Sequence, residues 1–581
     1  MSGIVSLVEV LDEKAPQPAG AVVSLNRESS FALAARGGAF TIPDDYLPMA
    51  KLNAMAPEYS RLFAEWIDTL DVQLLREFEG LGPAGIGPAR LYGYFLRFIT
   101  DGFVVTALRV RASLDAVKPD EVVFYTHEID EPALGPQMEF LGPTLMARVL
   151  PLACAKRGIP FRRVLAPCGS VASRAVLRWA DRTSVGVRTA ARRLKQLAGD
   201  LRRTPGDGPA ALFLSGGNYS LDAIQTEAAS EGYRILRRLG RLSPGRSRPG
   251  LALKLNASTK TFSDFAGLDL SPLIEVRIRF FIENICPRLE AGFQSGRELM
   301  EKKRVRFVAA PYKWNLEDFA LMAAAASSES TLAVQILHGW SVFDDSTWKE
   351  TERPCNLFIA TDDEIGGYFA RDVFAGTGAQ VKTAALWTKN YVDFPRPPAG
   401  GKPVVLYAPT ILNPRWLRLQ GTMYSDDWYF RHQLRLLEYF HSEKDFHFIW
   451  KADCDPGQSL DPIARVIAAA GRGNVEFAGG NFRGHLARAH FAFHDYPSTP
   501  MFETLLAGVP TLCVYHESLL VRDSAKRLLD GVMKPFSTTE QAAEAVREFL
   551  HGDPKKYLKD IPVSRASAFD VIVDALGARA S

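Results

Sequence analysis

The sequence predicts an α/β protein with two Rossmann-like domains facing a crevice and an additional N-terminal α/β region. Three observations predict it. From about residue 210 onward, short β-branched or aromatic runs alternate with helical stretches, the pattern of parallel strands joined by crossover helices. A Pro/Gly-rich stretch, residues 388–403, ends Pro395-Arg-Pro-Pro-Ala-Gly-Gly-Lys-Pro403 and interrupts that alternation, which then restarts. The chain is also too long, at 581 residues, for a single core. The expected domains are 1–204, the additional region; 205–390, a first Rossmann-like domain; and 391–581, a second Rossmann-like domain.

The elements follow in order. Residues 1–200 are the least legible: Glu121–Tyr125 reads as a strand, and Phe140–Arg157 as a helix feeding a strand at Phe161–Leu165, with helical decoration before them. In the second domain the strands are Ala211–Ser215, Arg234–Leu239, Arg306–Ala310, Ala333–Leu337, Leu357–Ala360 and Val381–Leu386. Helices fill the gaps after Gly216-Gly-Asn218 and across the alanine-rich Glu317–Ala326. In the third domain Val404–Tyr407, Phe446–Trp450, Asn474–Phe477, Phe491–His494 and Thr511–Tyr515 read as strands. Tyr429–Phe440, Asp461–Ala470, Pro500–Ala507 and Thr539–Leu550 read as the helices between or after them.

Composition is that of an ordinary globular chain, and a formal charge of +3 gives no global reason to expect nucleic acid or a membrane. The cysteines, Cys154, Cys168, Cys286, Cys355, Cys454 and Cys513, form no CxxC pair and no zinc spacing, so reduced, mostly buried thiols are expected. Met1–Val10 lacks the basic start and apolar core of a signal peptide, and no apolar run reaches the length of a membrane span. The expectation is a soluble cytoplasmic protein. Positive charge is local: residues 182–203 carry Arg188, Arg192, Arg193, Lys195, Arg202 and Arg203 beside an apolar stripe. That pattern suits a helix packed between domains; its second reading is peripheral contact with anionic lipid at the inner face of a membrane. Arg237, Arg238, Arg241, Arg246 and Arg248 form a second patch. No nucleic-acid-binding module accompanies either.

The segment richest in chemistry is His494-Asp-Tyr-Pro-Ser-Thr-Pro-Met-Phe-Glu503. A strand ends at its start, and Thr499 and Pro500 suit the N-cap and first position of a helix. The free N–H groups and dipole of such a helix receive phosphate, with the Ser498 and Thr499 hydroxyls as further donors. Glu503 falls one turn in, outside the capping-box position at Phe502, and is available to ribose hydroxyls. The structural alternative is a surface glutamate on a well-capped helix. Val334-Gln-Ile-Leu-His338-Gly339-Trp340 places a His-Gly turn at another strand end, where His338 suits proton transfer from an acceptor hydroxyl. Asp344 and Asp345 follow as candidate bases, as do Asp362, Asp363 and Glu364 after the next strand; His127-Glu128 has strand-end position alone.

Glu503-Thr-Leu-Leu-Ala-Gly508-Val-Pro510 resembles the E-x4-G-x-P signature in the C-terminal domain of GT-B glycosyltransferases. The longer stretch from Tyr496 is similar to bacterial surface-carbohydrate transferases: capsule-biosynthesis enzymes, CDP-glycerol glycerophosphotransferases and a leptospiral-type carbohydrate transferase family. His338-Gly339 resembles their Gln-His-Gly motif, with Gln335 displaced, and Lys451 matches the lysine of a Lys-x-His-Pro motif whose His-Pro is replaced by Asp453-Cys454. The resemblance implies a nucleotide-sugar donor on the third domain and a glycan, lipid-linked or protein acceptor on the second. It implies donor phosphate at Ser498, Thr499 and Lys451, ribose at Glu503 and the base near Gly479; Thr410, which ends the first strand of the third domain, is a weaker ligand candidate by its position. It implies no cofactor beyond the donor itself and no metal, because no DxD pair stands at a donor-domain strand end. A CDP-polyol phosphotransferase, an NDP-sugar epimerase and a non-catalytic scaffold of the same fold are the alternatives.

Overall fold

The computed structural model describes residues 3–580 except 12–14, 127–143, 167–207, 215–218, 238–241, 243–244, 256–257, 314, 346, 348, 350–351, 392, 396, 398–399, 411–418, 420–423, 452–461 and 472. The basic segment 182–203, His127-Glu128 and Asp453-Cys454 lie outside the described residues.

Three all-parallel sheets follow one another along the chain. The first holds β1 (Ile4–Val8), β2 (Ala21–Ser24), β3 (Glu121–Thr126) and β4 (Phe161–Leu165) in the order β2-β1-β3-β4. The second holds β5 (Ala210–Phe213), β6 (Arg234–Leu236), β7 (Val305–Ala310), β8 (Leu332–Ile336), β9 (Leu357–Ala360) and β10 (Gln380–Thr383). Their order is β10-β9-β8-β7-β5-β6. The third holds β11 (Val404–Ala408), β12 (His447–Lys451), β13 (Val475–Ala478), β14 (Phe491–His494), β15 (Thr511–His516) and β16 (Met533–Phe536), in the order β13-β12-β11-β14-β15-β16. Counted within the third sheet, that is 3-2-1-4-5-6, the doubly wound dinucleotide-binding order. The architecture is therefore α/β: two units with Rossmann-like parallel sheets and an additional N-terminal parallel sheet.

The central strands form because they can be buried on both faces. Leu357–Ala360 and Leu332–Ile336 are buried throughout, and β7 is buried except at Arg306. Covering the second sheet, the helix Leu316–Ala326 starts at Asn315, whose side chain accepts from the Asp318 N–H at 2.9 Å. Its alanines permit close packing against the helix Cys286–Lys302. A Cβ on Gly292 would come within 3.1 Å of Ala320 Cβ, and one on Gly296 within 3.0 Å of Leu321 Cδ2.

Two features differ from the sequence expectation. The N-terminal region holds a full four-stranded parallel sheet and two long helices, Met49–Glu77 and Gly93–Val117, rather than two strands with decoration. Its strands β1 and β2 are short and sit among turn residues, so alternation does not reveal them. The last helix, Ala568–Ala580, lies against the second sheet although the segment 391–581 contains it. Phe569 meets Tyr233 and Phe307 edge-on or tilted, the Ala385 N–H donates to Ala566 O at 2.8 Å, and Arg579 donates to Thr331 O at 2.9 Å. From the second basic patch, Arg248 is structural: it bonds Glu77 O at 2.7 Å and Glu290 at 3.0 Å and covers the Phe78 ring. No described helix is long and apolar enough to cross a membrane.

Candidate functional site

In a sheet ordered like the third, ligands lie outside the carboxyl ends where the strand order reverses, here between β11 and β14. Thr410 follows β11 and Asp495 follows β14. Asp495 ties the two strand ends together, accepting from the Thr410 N–H at 2.6 Å, the Tyr407 hydroxyl at 2.8 Å and Gln433 Nε2 at 3.1 Å. Burial pushes its carboxyl up to about 6 against the pull of those donors. Its neighbour His494 is fully buried and held neutral by that burial, its pKa down to about 3; it faces Thr504 at 3.3 Å and belongs to the core.

The next helix runs Thr499–Leu506, one residue earlier than its sequence signals place it. Ser498, not Thr499, is the N-cap, and Pro500 falls at the second position; the Ser498 hydroxyl makes no capping bond. The reason lies across the crevice. The Thr499 hydroxyl oxygen accepts the Trp340 N–H at 3.1 Å, which occupies the atom that would cap the helix. Ser498, half-buried and without a capping bond, stands at the helix start.

Glu503 is not the uncommitted side chain expected. Half-buried one turn into this helix, it takes a hydrogen bond from the Tyr391 hydroxyl and lies in the field of Arg483. Desolvation outweighs both and pushes its carboxyl up to about 7. Arg483 itself donates to Asn390 O at 2.8 Å and covers the Tyr391 and Phe394 rings at 5.4 and 5.8 Å. The linker between the two Rossmann-like units therefore forms a wall of the site. Lys451 closes β12 and is 8% exposed, so it is buried rather than solvated. Gly479 is exposed, and its carbonyl already bonds His485 Nε2 at 2.8 Å, so that oxygen is engaged within the chain.

The second unit supplies the opposite wall. His338 follows β8, exposed on one side but crowded by protein on others, which lowers its pKa and keeps the imidazole neutral near pH 7. The Tyr312 ring meets it edge-on at 4.7 Å. Gly339 then passes so close to the third unit that a Cβ there would lie 2.3 Å from Thr499 Oγ1. Trp340 stacks on Phe502 at 3.7 Å, and Phe343 on Tyr496 at 5.0 Å. The strand-end histidine of one unit and the helix start of the other are thus adjacent.

The acids sort by their partners. Asp344 is exposed and accepts from the Tyr368 hydroxyl at 3.3 Å. Asp345 is buried and accepts from the Thr347 N–H at 2.9 Å, a turn-forming role. Asp362 caps the helix Asp363–Tyr368, accepting from the N–H groups of Glu364 and Ile365; Asp363 bonds Thr383, and Glu364 bonds Arg522 and Ser524. Those three acids are structural. Gln335, displaced from the His-Gly turn in sequence, is fully buried and accepts from Lys313 Nζ at 2.9 Å while donating to Pro311 O. Among the described residues no cluster of His, Cys, Asp and Glu has the makings of a metal site.

Sequence reasoning misses Tyr391, Arg483 and Arg522. None stands at a strand end or in a motif, and only the folded contacts reveal them.

No protein-family model matches the chain, and no curated protein matches it. Among solved structures it is similar to the UDP-GlcNAc 2-epimerase of Neisseria meningitidis bound to UDP-GlcNAc, at 12% identity and a TM-score of 0.38, covering 64% of this chain and 99% of that one. It is similar to Acinetobacter baumannii MurG at 12% identity and 0.36, covering 64% and 100%. A trehalose-6-phosphate synthase matches at 11% identity and 0.33, covering 64% and 95%.

Proposed function

We propose that the chain is a glycosyltransferase that moves a sugar from a nucleotide-sugar donor to a glycan, lipid-linked or protein acceptor. The observation that carries this reading is the meeting of His338-Gly339 with Thr499, at the start of the helix that bears Glu503. The diphosphate lies at the helix start near Ser498, with Lys451 offsetting its charge. Ribose hydroxyls replace Tyr391 as donors to Glu503. His338, neutral at pH 7, takes the proton of the acceptor hydroxyl as its oxygen bonds the anomeric carbon and the bond from that carbon to the diphosphate breaks. The nucleoside diphosphate leaves from the helix start.

A thermal-shift screen against UDP-, GDP- and CMP-sugars, their nucleotides and CDP-glycerol tests the reading. A donor at a hundred times its dissociation constant stabilises the fold by about 2.7 kcal/mol. Glu503→Ala should abolish most of that shift. Silence across the whole panel, with Glu503→Ala leaving cellular activity intact, sinks the proposal. A larger shift with CDP-glycerol indicates phosphopolyol transfer, and isomerised sugar from donor alone indicates an epimerase. One observation favours a second reading, a non-catalytic scaffold: the loop after His338 is bonded across the crevice at Trp340, Asp344 and Arg522. That reading predicts no nucleotide binding.

A further inference from the structure

The loop after His338 belongs by sequence to the second unit, yet most of its main chain is held by the third. Phe343 pairs with Val521 in an antiparallel bridge; the Asp344 N–H donates to Leu520 O at 2.9 Å, and the Arg522 N–H donates to Val342 O at 2.9 Å. The Arg522 side chain, 7% exposed, then reaches under the loop. Its Nη1 donates to Phe343 O at 2.9 Å and its Nη2 to Ser341 O at 2.8 Å. The rest of the fork engages Glu364, Nε to Oε1 at 3.1 Å and Nη2 to Oε2 at 2.8 Å, and the guanidinium covers the Tyr368 ring at 4.5 Å. Tyr368 in turn donates to Asp344. One buried cation of the third unit thus holds two carbonyls of the loop and a carboxylate of the second unit's own helix.

We infer that Arg522 is a positioning residue: it makes the third unit, together with the second, set the place of the His338-Gly339 turn against Thr499. The planar, five-donor fork is what allows one side chain to span both carbonyls and the carboxylate; an ammonium offers a point charge without that geometry. The chain between β8 and the bridge at Phe343 is six residues, so the bridge leaves His338 little freedom independent of the third unit. This rests on the proposed transferase reading only for what His338 does, not for how it is held.

The test uses the full chain with Arg522→Lys, Arg522→Met and Glu364→Gln. Hydrogen exchange read by mass spectrometry should quicken in peptides covering residues 339–345 by at least about tenfold in both Arg522 variants, with peptides across β7 and β9 unchanged. The nucleotide sugar giving the largest thermal shift with the parent protein serves as donor. Its dissociation constant should stay within about twofold, while its turnover falls at least about tenfold, because displacement of a reacting group by an ångström suffices for that loss. Glu364→Gln, which keeps the carbonyl bonds, should be intermediate and identifies the effect if the Arg522 variants fail to fold. Unchanged exchange at 339–345, or loss of donor affinity in step with turnover, overturns the inference. Silence of every nucleotide fails the transferase reading alone, and the exchange result still decides whether Arg522 holds the loop.

Discussion

Glu503 shows how one side chain carries a measurable signature of the role proposed for it. Burial holds its carboxyl near 7 even with the Tyr391 hydroxyl donating to it and Arg483 nearby. A ligand whose hydroxyls bond the ionised form draws that value down, so binding releases a proton and tightens as pH rises. With a pKa of about 7, the ionised fraction grows from about one tenth at pH 6 to about nine tenths at pH 8, so donor affinity should rise about tenfold across that interval. Titration calorimetry in buffers of different ionisation enthalpy reads both the affinity and the proton release. Glu503→Gln should bind more weakly and show a flat profile; a parent protein with a flat profile would remove Glu503 from the ribose site. The carboxylate was legible in the sequence as a candidate because it lies outside the capping box. Its partner Tyr391 was not, because the linker reads as a Pro/Gly boundary whose local pattern says nothing about what it packs against.

At the scale of elements, the turn after β8 and the helix Thr499–Leu506 explain each other. The helix begins a residue early because Thr499 is drawn toward Trp340, and the turn carries glycine at 339 because nothing larger fits beside the Thr499 hydroxyl. Gly339→Ala should therefore cost about 1–3 kcal/mol, the usual cost of overpacking. Thr499→Ala should relieve most of it, so the double variant is more stable than the sum of the two changes predicts; equilibrium denaturation of the four proteins reads that coupling. Strict additivity would mean that the two elements do not meet in solution. The same scale shows why some elements were visible in sequence and others not. Leu357–Ala360 and Phe491–His494 are bounded apolar runs and stand where they were expected. Met533-Lys-Pro-Phe536 carries a proline that a central strand would not tolerate; as the edge strand β16 it does, and no run of apolar residues announced it. Motifs marked strand ends, which is where His338, Lys451 and Ser498 were found, while Arg483 and Arg522 act at long range from ordinary helix starts.

Across the whole molecule, the N-terminal sheet is not a separate appendage but is docked on the third unit through buried polar groups. Asp427, 2% exposed in the first turn of the helix Asp426–Ser442, accepts from the Ser30 hydroxyl at 2.6 Å and from Ser24 at 3.3 Å. Nearby, Asp44 bonds Arg109 at 3.0 Å and accepts from Ser425 at 2.5 Å, and Phe31 meets Phe430 edge-on. Burial, reinforced by the Asp44 charge, pushes Asp427 up to about 7, against the opposing pull of Ser30, Ser24 and Arg109. The folded protein therefore holds a proton here that the unfolded chain releases near pH 4. Stability from this group is fully present below that lower value and is lost as pH rises through about 7. Asp427→Asn keeps an acceptor for the two serines and removes the titration. Its melting temperature should exceed that of the parent at pH 8 and converge with it, or fall below, at pH 5. Because the group sits between units, the difference should appear in the docking itself: limited proteolysis at pH 8 should release the N-terminal unit from the parent faster than from the variant. Equal melting temperatures at pH 8, or equal release, would mean that the ionised Asp427 carboxylate costs the folded protein nothing and that the apolar contacts around Phe31 carry the docking.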